Sequence, residues 1–330
     1  MIFYKLIRRY SSNVNKIIQS AGNIINGSSE TIRENTYDLF RKNYNKYYNT
    51  NLSINNEWLD WFIGFSEGNG AILGYSNRNT FVLIQKDIRV LEMIKNTLNI
   101  GYVIYYYTDG SSSKELLLNR DIKYGRYIII NNNDILLLYL MFNGNLKLNK
   151  KRLQLKRWFN SLNKTKELDL NKFNLNNIPS MIYNSSKLSL NNAWLCGFTD
   201  AKGCFTFKII KQNGKDYIKI VFILDTKDEK DILNEISMLL CNNKLSKLIN
   251  TKDINIYKIE ILCNDINKLI YKNIINYFNT FNLKTTKNKS FFIWKEVLFI
   301  TLGNQPLNKD KIEYIRTVSY THLRAHETLR

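Results

Sequence analysis

Two stretches of the chain repeat the same order of hydrophobic patterns. The first begins with a segment from Glu57 to Glu67 that is apolar on nearly every side, as in a buried helix. An alternating strand, a charged turn and a helix follow between Phe81 and Gly101, and the segment from Ile220 to Leu240 has the same three parts. Further short strands and a last helical region close each copy. The pattern predicts an α+β protein whose halves each run helix, two strands, helix, two strands, helix.

Composition sets the boundaries of these copies. We place the first half at residues 53–163 and the second at 189–316, joined by a polar, Asn- and Lys-rich linker at 164–188. Residues 1–52 are predicted to be a mitochondrial presequence and spacer, because the start is apolar and basic and has no acid before Glu30. This predicts import into the mitochondrial matrix. Residues 317–330 resemble translated sequencing-adapter sequence, and we exclude them from the fold prediction.

The net charge narrows the class of partner. Lys and Arg number 48 against 28 Asp and Glu, giving +20, a balance typical of proteins that bind nucleic acid. An anionic membrane surface is the alternative partner, but no run of 18 apolar residues predicts a spanning helix, and we expect no membrane. The four cysteines lack the paired spacing of a metal site, which favours reduced thiols. We predict no metal.

Two short motifs open the halves, and they match at several positions. The first is WFIGFSEGNG at 61–70, and the second is WLCGFTDAKG at 194–203. Small residues recur in both at i and i+4, a spacing that lets two helix backbones approach closely; they are Gly64 and Gly68 in the first motif, and Gly197 and Ala201 in the second. We expect the two helices to pack about a pseudo-twofold axis. The closing glycines, Gly70 and Gly203, are predicted to end the helices with positive φ.

The paired motifs and the matching text after them resemble the double-motif LAGLIDADG homing endonucleases and maturases encoded in mitochondrial group I introns. The resemblance covers residues 53–316. It implies a saddle-shaped monomer of two αββαββα halves. Their four-stranded sheets would face nucleic acid, and their motif helices would form the central interface.

The resemblance also identifies positions where this chain departs from its family. Active members hold Mg²⁺ with an acid at the eighth position of the nine-residue motif, which here spans 62–70 and 195–203, and that position is Asn69 in one half and Lys202 in the other. The family's active-site Gln after the second strand is present as Gln85 but replaced by Thr226 in the second half. Because Mg²⁺ depends on carboxylate oxygens, we predict no cofactor. Mg²⁺ would be needed only if the protein were an active endonuclease.

Basic residues near these positions are candidates for phosphate contact. Lys86 and Lys227 follow the two predicted second strands, and a basic run extends from Lys150 through Lys151 to Arg152. The alternative for the run is a solvated surface. Three consecutive tyrosines from Tyr105 to Tyr107 lie in a predicted third strand, where alternate side chains would face the groove and the core.

Three functions remain open from the sequence. The first is a splicing cofactor that binds group I intron RNA without hydrolysing it. The second is an active endonuclease that cleaves a double-stranded DNA target. The third is a decayed gene product that binds nucleic acid nonspecifically. The absent acids favour the first over the second.

Overall fold

The computed structural model shows two α+β halves in one chain. It describes residues 29–75, 78–117, 119–166, 168–173, 175–183, 187–212, 215–242, 247–251, 255–263, 268–302 and 309–327. Most of the predicted presequence, residues 1–28, lies outside the described residues. None of the helices within the described ranges is long and apolar enough to cross a bilayer.

The first half begins with a helix that precedes its motif. Its elements in chain order are α1 (Ser29–Tyr48), α2 (Asn56–Asn69), β1 (Gly70–Tyr75), β2 (Arg78–Gln85), α3 (Ile88–Leu98), β3 (Tyr102–Tyr107), β4 (Ser112–Ser113), β5 (Ile122–Ile129), α4 (Asn132–Phe142) and α5 (Asn149–Leu162). A short helix, α6 (Leu170–Phe173), lies in the predicted linker.

The second half repeats the helix–strand order. Its elements are α7 (Trp194–Lys202), β6 (Gly203–Gln212), β7 (Lys215–Lys227), α8 (Lys230–Leu240), β8 (Lys247–Thr251), β9 (Ile256–Cys263), α9 (Lys268–Thr280), α10 (Lys287–Leu302) and α11 (Lys309–Glu327). The last helix runs into the segment predicted to be foreign, and Arg316, just before that segment, lies 3.1 Å from Asp216.

Each half contains one antiparallel sheet. The strand order is β1-β2-β5-β3-β4 in the first sheet and β6-β7-β9-β8 in the second. The two sheets share the same arrangement of hairpins, and the first gains a fifth strand because the two-residue β4 pairs with β3. The predicted α+β fold of two similar halves is confirmed.

Helix α1 belongs to the core of the first half. Tyr37 and Tyr44 are buried, and their hydroxyls donate to Asp60 Oδ1 at 2.7 Å and to the Leu98 carbonyl at 2.8 Å. These bonds tie α1 to the motif helix and to the end of α3. Residues 29–48, which we predicted to be part of a spacer, therefore form a structural element of the first half.

The linker also packs on the first half. The ring of Phe173 stacks on Tyr47 with centroids 4.5 Å apart, and the Tyr139 hydroxyl donates to the Pro179 carbonyl at 2.7 Å. Asn143 Nδ2 donates to the Ser180 carbonyl at 2.9 Å. The segment between the halves thus follows a fixed path through most of its described length.

Candidate functional site

The two motif helices, α2 and α7, meet at backbone contact. A Cβ added to Gly64 would lie 2.0 Å from the Trp194 carbonyl oxygen, and one added to Gly197 would lie 1.9 Å from that of Trp61. A Cβ on Gly68 would lie 2.2 Å from the Cβ of Ala201. Only glycine fits at Gly64, Gly68 and Gly197, because atoms of the opposite helix already fill the space that a side chain would need. The small residues predicted at the interface therefore lie at the crossing of the helices.

Two tryptophans bind acids on the opposite helix, and the arrangement is reciprocal. Trp61 Nε1 donates to Asp200 Oδ2 at 2.8 Å, and Trp194 Nε1 donates to Glu67 Oε2 at 2.6 Å. Each indole starts one motif and each carboxylate lies near the end of the other. The pair of bonds gives the interface its twofold character and fixes the register of the helices.

Both acids also bind the chain that leads into α5 and α10. Glu67 Oε1 accepts from the backbone N–H groups of Lys147 and Leu148 at 2.8 and 2.7 Å. Asp200 accepts from the backbone N–H of Lys284 at 2.7 Å and from the Thr285 hydroxyl at 2.5 Å. Burial raises the pKa of both carboxyl groups above its usual range. Glu67 and Asp200 therefore hold structure together and are not available to a metal ion.

The sequence offered no signal for these bonds. The two indole–carboxylate contacts join residues that are distant in the chain, and the periodicity of a helix reports only which side is buried. Both acids are nearly inaccessible, at 2% and 3% of their surface. Their partners were found only in the structure.

The prediction of positive φ at the closing glycines is wrong. Gly70 has φ −80° and ψ 147°, and Gly203 has φ −81° and ψ 159°, so both are already extended. A Cβ on Gly70 would lie 2.5 Å from the Ser66 carbonyl oxygen, and one on Gly203 would lie 2.4 Å from Thr199 Cγ2. Glycine is needed here because the new strand turns back close to the helix that it leaves.

Asn69 and Lys202 are the last residues of α2 and α7. The side chain of Lys202 reaches across to the other helix, since its Cγ lies 3.3 Å from the place of a Cβ on Gly68. The structure thus brings the ammonium-bearing side chain of the second motif to the end of the first. Both residues are partly exposed.

Two further lysines lie against the ends of the motif helices. Lys151 Nζ donates to the Gly70 carbonyl, and Lys287 Nζ donates to the Thr199 carbonyl at 3.1 Å. Burial, the largest cause, and the positive charge of Lys202 together lower the pKa of each to about 8. Three amines therefore share the space at the paired helix ends, and we call Lys151, Lys202 and Lys287 the lysine cluster.

The lysine cluster corrects one prediction and adds one residue. Lys151 was predicted to contact phosphate from the surface, but it is buried and bound to a backbone carbonyl. Its neighbours differ, because Lys150 is exposed and Arg152 is half-buried. The sequence did not point to Lys287, since a single lysine at the start of a helix has no distinguishing pattern.

The donors at this site do not fit Mg²⁺. That ion takes hard oxygens and relies on carboxylates to offset its charge, whereas the paired helix ends present an amide and three amines. The charge of Asp225 acts on Lys287 and raises its pKa, so Asp225 is one more carboxylate near the lysine cluster. Among the described residues, no three His, Cys, Asp or Glu side chains are grouped so as to hold a metal.

The other predicted site residues lie at the ends of the second strands. Gln85 is the last residue of β2 and is half-buried, whereas Thr226 is the penultimate residue of β7 and is buried. Lys86 and Lys227 follow them, and Lys227 is the more exposed of the two. The two halves therefore present different groups at equivalent strand ends.

Comparison with known proteins agrees with this architecture. The family profile described as LAGLIDADG endonuclease matches residues 195–298. A Neurospora crassa protein named "Probable intron-encoded endonuclease 4" is 29% identical over 300 residues, which cover 88% of this chain and 46% of that protein. The "Uncharacterized cox1 intron-2 37.2 kDa protein" of Schizosaccharomyces pombe is 23% identical, with 90% and 82% covered.

The chain spans about half the length of the Neurospora crassa relative. It also resembles the "Uncharacterized mitochondrial protein RF1" of Saccharomyces cerevisiae, at 30% identity over 38% of this chain and 25% of that protein. These relatives are named as intron-encoded or mitochondrial proteins of fungi.

Solved structures share the fold. The I-LtrWI LAGLIDADG homing endonuclease, determined bound to target DNA, has 18% identity and a TM-score of 0.56, covering 81% of this chain and 98% of its own. The I-GzeII homing endonuclease, in complex with its DNA target, has 18% identity and a TM-score of 0.55, with 81% and 97% covered.

Proposed function

The chain belongs to the LAGLIDADG endonuclease family, and from that premise we propose that it binds intron nucleic acid without hydrolysing it. In this proposal it is a maturase-like cofactor that stabilises the folded core of a group I intron RNA during splicing. It acts as a monomer, because one chain supplies both motif helices, and it works in the mitochondrial matrix.

The lysine cluster is the observation that carries the proposal. Two acids at the eighth motif positions would bring two negative charges to the helix ends, whereas Asn69 and Lys202 bring one positive charge. Lys151 and Lys287 add to it. A divalent cation about 5 Å from a single ammonium group is repelled by roughly 7 kcal/mol at an effective dielectric constant of 20. Binding of Mg²⁺ at this position is therefore strongly disfavoured, whereas a backbone phosphate is attracted.

The preserved interface supports a function other than cleavage. The glycine crossing and both tryptophan–carboxylate bonds are intact although the metal-binding acids are absent. The charge of +20 supports a polyanionic partner. The intron-encoded and mitochondrial names of the fungal relatives support an intron as that partner.

An active DNA endonuclease is the second candidate. The name of the Neurospora crassa relative and the DNA-bound state of the solved structures favour it. It requires Mg²⁺ at the paired helix ends, and the side chains there offer no free carboxylate from either motif.

Splicing at limiting Mg²⁺ tests the proposal. Precursor RNA containing a group I intron of the same mitochondrial genome is incubated with and without the protein, and spliced product is followed on gels. We expect splicing with the protein and little without it. Lys202→Glu should weaken the effect, whereas Lys172→Glu, the same charge change on the short helix α6, should not.

Two outcomes contradict the proposal. Equal splicing with and without the protein removes the cofactor function. Sequence-specific double-strand cleavage of a plasmid library of intron-insertion sites, in the presence of Mg²⁺, supports the endonuclease instead.

A further inference from the structure

The outer faces of the two sheets, turned away from the helices, differ sharply in chemistry. In β3 the side chains of Val103, Tyr105 and Tyr107 are buried, so Tyr102, Ile104 and Tyr106 point outward. The same alternation turns a mostly apolar or aromatic set outward from β2 and β5; it comprises Arg78, Thr80, Val82, Ile84, Tyr124, Arg126 and Ile128. A β-bulge interrupts the alternation before Tyr124, so Ile122 pairs with the buried Tyr107 and packs against the core. The face carries no acid among its described residues.

The second sheet presents charge on its outer face. Lys208 and Lys219 are register partners and both are exposed, while Asp225 is paired with Lys258 on the next strand. Glu260 lies among these lysines, 2.7 Å from Lys258 Nζ. This face has the alternating charges of a surface that contacts phosphate and base edges. The first sheet lacks them.

Aromatic rings are organised at the centre of the first sheet's outer face. Tyr106 and Tyr124 are register partners, and their rings stack with centroids 4.6 Å apart and planes 12° from parallel. Arg126 Cζ lies 4.8 Å from the Tyr106 centroid and 5.6 Å from that of Tyr124. Arg126 Nε is buried and has no hydrogen-bond partner among the residues that the structure describes. We call Tyr102, Tyr106, Tyr124 and Arg126 the tyrosine platform.

Two lysines lie near the tyrosine platform. Lys114 Nζ lies 4.4 Å over the ring of Tyr102, and Lys123 is exposed at the β-bulge that precedes Tyr124 in the chain. Along β3, Tyr102 and Tyr106 are separated by about 13 Å at 3.3 Å per residue, which is enough for bases to lie between them. The arrangement combines flat π surfaces with positive charges at their edges.

Duplex DNA is matched to this face less well than unpaired bases are. Reading a major groove requires side chains that donate to or accept from base edges, and the isoleucines and valine that make up much of this face do neither, which leaves Arg78, Thr80, Arg126 and the tyrosine hydroxyls. Unpaired bases do suit it, because they stack on aromatic rings and on guanidinium planes while their phosphates pair with lysines. We propose that the tyrosine platform binds unpaired bases of RNA by stacking, while the outer face of the second sheet contacts the phosphate backbone. The inference rests on the proposed splicing function, whose partner it specifies as single-stranded RNA.

Ring-preserving and ring-removing variants test the stacking. The affinity of a fluorescein-labelled single-stranded RNA oligonucleotide is measured by anisotropy for the wild-type protein, for Tyr106→Leu with Tyr124→Leu, and for Tyr106→Phe with Tyr124→Phe. Loss of stacking by the leucine pair should weaken binding about 5- to 150-fold. The phenylalanine pair keeps the rings and should bind like the wild type.

Tyr183→Leu is the matched control, since Tyr183 is 71% exposed and lies in the linker, outside both sheets. It should leave the affinity for the oligonucleotide nearly unchanged. A duplex DNA of equal length should bind the leucine pair as well as it binds the wild type. Urea unfolding of every variant excludes loss of the fold as the cause.

Three results overturn the inference. One is equal RNA affinity of the leucine pair and the wild type, and another is a matching loss for duplex DNA. The third is concentration-dependent dimerisation that the leucine pair abolishes at unchanged RNA affinity, which assigns the platform to a second copy of the chain. Failure of the splicing function is distinguishable, because there the wild-type protein itself does not promote splicing even if it binds the oligonucleotide through these rings.

Discussion

Replacing Gly197 with alanine should disrupt the interface between the motif helices. The added methyl would lie 1.9 Å from the Trp61 carbonyl oxygen, where real Cβ atoms essentially never come within 3.0 Å of another heavy atom. The clashing atom belongs to a helix backbone, so no side chain rotation relieves it. The two helices must move apart by more than about 1 Å in an interior that is packed as densely as a crystal.

The loss in free energy of unfolding follows from the contacts that this shift of the helices disrupts. Overpacking a close contact costs about 1 to 3 kcal/mol. The same shift stretches both tryptophan–carboxylate bonds, and hydrogen bonds to charged groups contribute about 1.5 to 3 kcal/mol each. We expect the variant to lose about 4 kcal/mol or more, against a total stability of about 5 to 15 kcal/mol for a typical protein.

Urea unfolding followed by tryptophan fluorescence measures this loss, because Trp61 and Trp194 lie at the interface. Gly110→Ala is the control: no atom of the described part of the chain lies within 4 Å of its added methyl, although its φ of +85° is unfavourable for alanine. That strain should cost about 1 to 2 kcal/mol. A Gly197→Ala protein no less stable than the Gly110→Ala protein would refute the close-packed interface.

Three further predictions concern the tryptophan, the buried lysine and the exposed lysine. Trp194→Phe removes one donor from Glu67 and should cost about 2 kcal/mol in the same titration, and an unchanged midpoint would contradict the bond. The pKa of Lys151 is lowered from 10.5 to about 8, so between these values the unfolded chain binds more protons than the folded one. Wild-type stability should therefore rise with pH from 8 to 9.5 relative to Lys151→Met, by at most about 1.4 kcal/mol per pH unit, and equal slopes for the two proteins would contradict the burial of this amine. Lys150→Met should reduce the salt dependence of RNA affinity by about one unit of log–log slope, and an unchanged slope would remove Lys150 from the phosphate contacts.

Periodicity and small residues carried most of the fold prediction. Helix α3 was predicted because Leu91, Ile94 and Leu98 recur on one side of it, and all three are buried. The spacing of Gly64 and Gly68 predicted a close helix pair, because small residues at this spacing let two helix backbones approach each other. The structure confirms that a side chain at either position would clash with the opposite helix. Features that depend on residues close together in the chain could thus be predicted from the sequence.

Features that depend on distant partners were not. Helix α1 fell within the predicted presequence and spacer, yet Tyr37 and Tyr44 bury their rings and bind across the first half. Lys151 looked like part of a basic run until the structure showed its carbonyl partner. The need for glycine at Gly70 and Gly203 was predicted correctly, but the reason was wrong. A close backbone approach requires glycine just as a positive φ does, so the sequence does not distinguish the two causes.

The most direct test of the account is calorimetric titration of the wild-type protein with Mg²⁺, beside the double variant Asn69→Asp with Lys202→Glu. The variant returns a carboxylate to each motif helix end and removes one ammonium from the lysine cluster. We predict no saturable binding of Mg²⁺ by the wild type and saturable binding by the variant. Saturable binding by the wild type, abolished by Asn69→Ala, would contradict the claim that the paired helix ends exclude the metal.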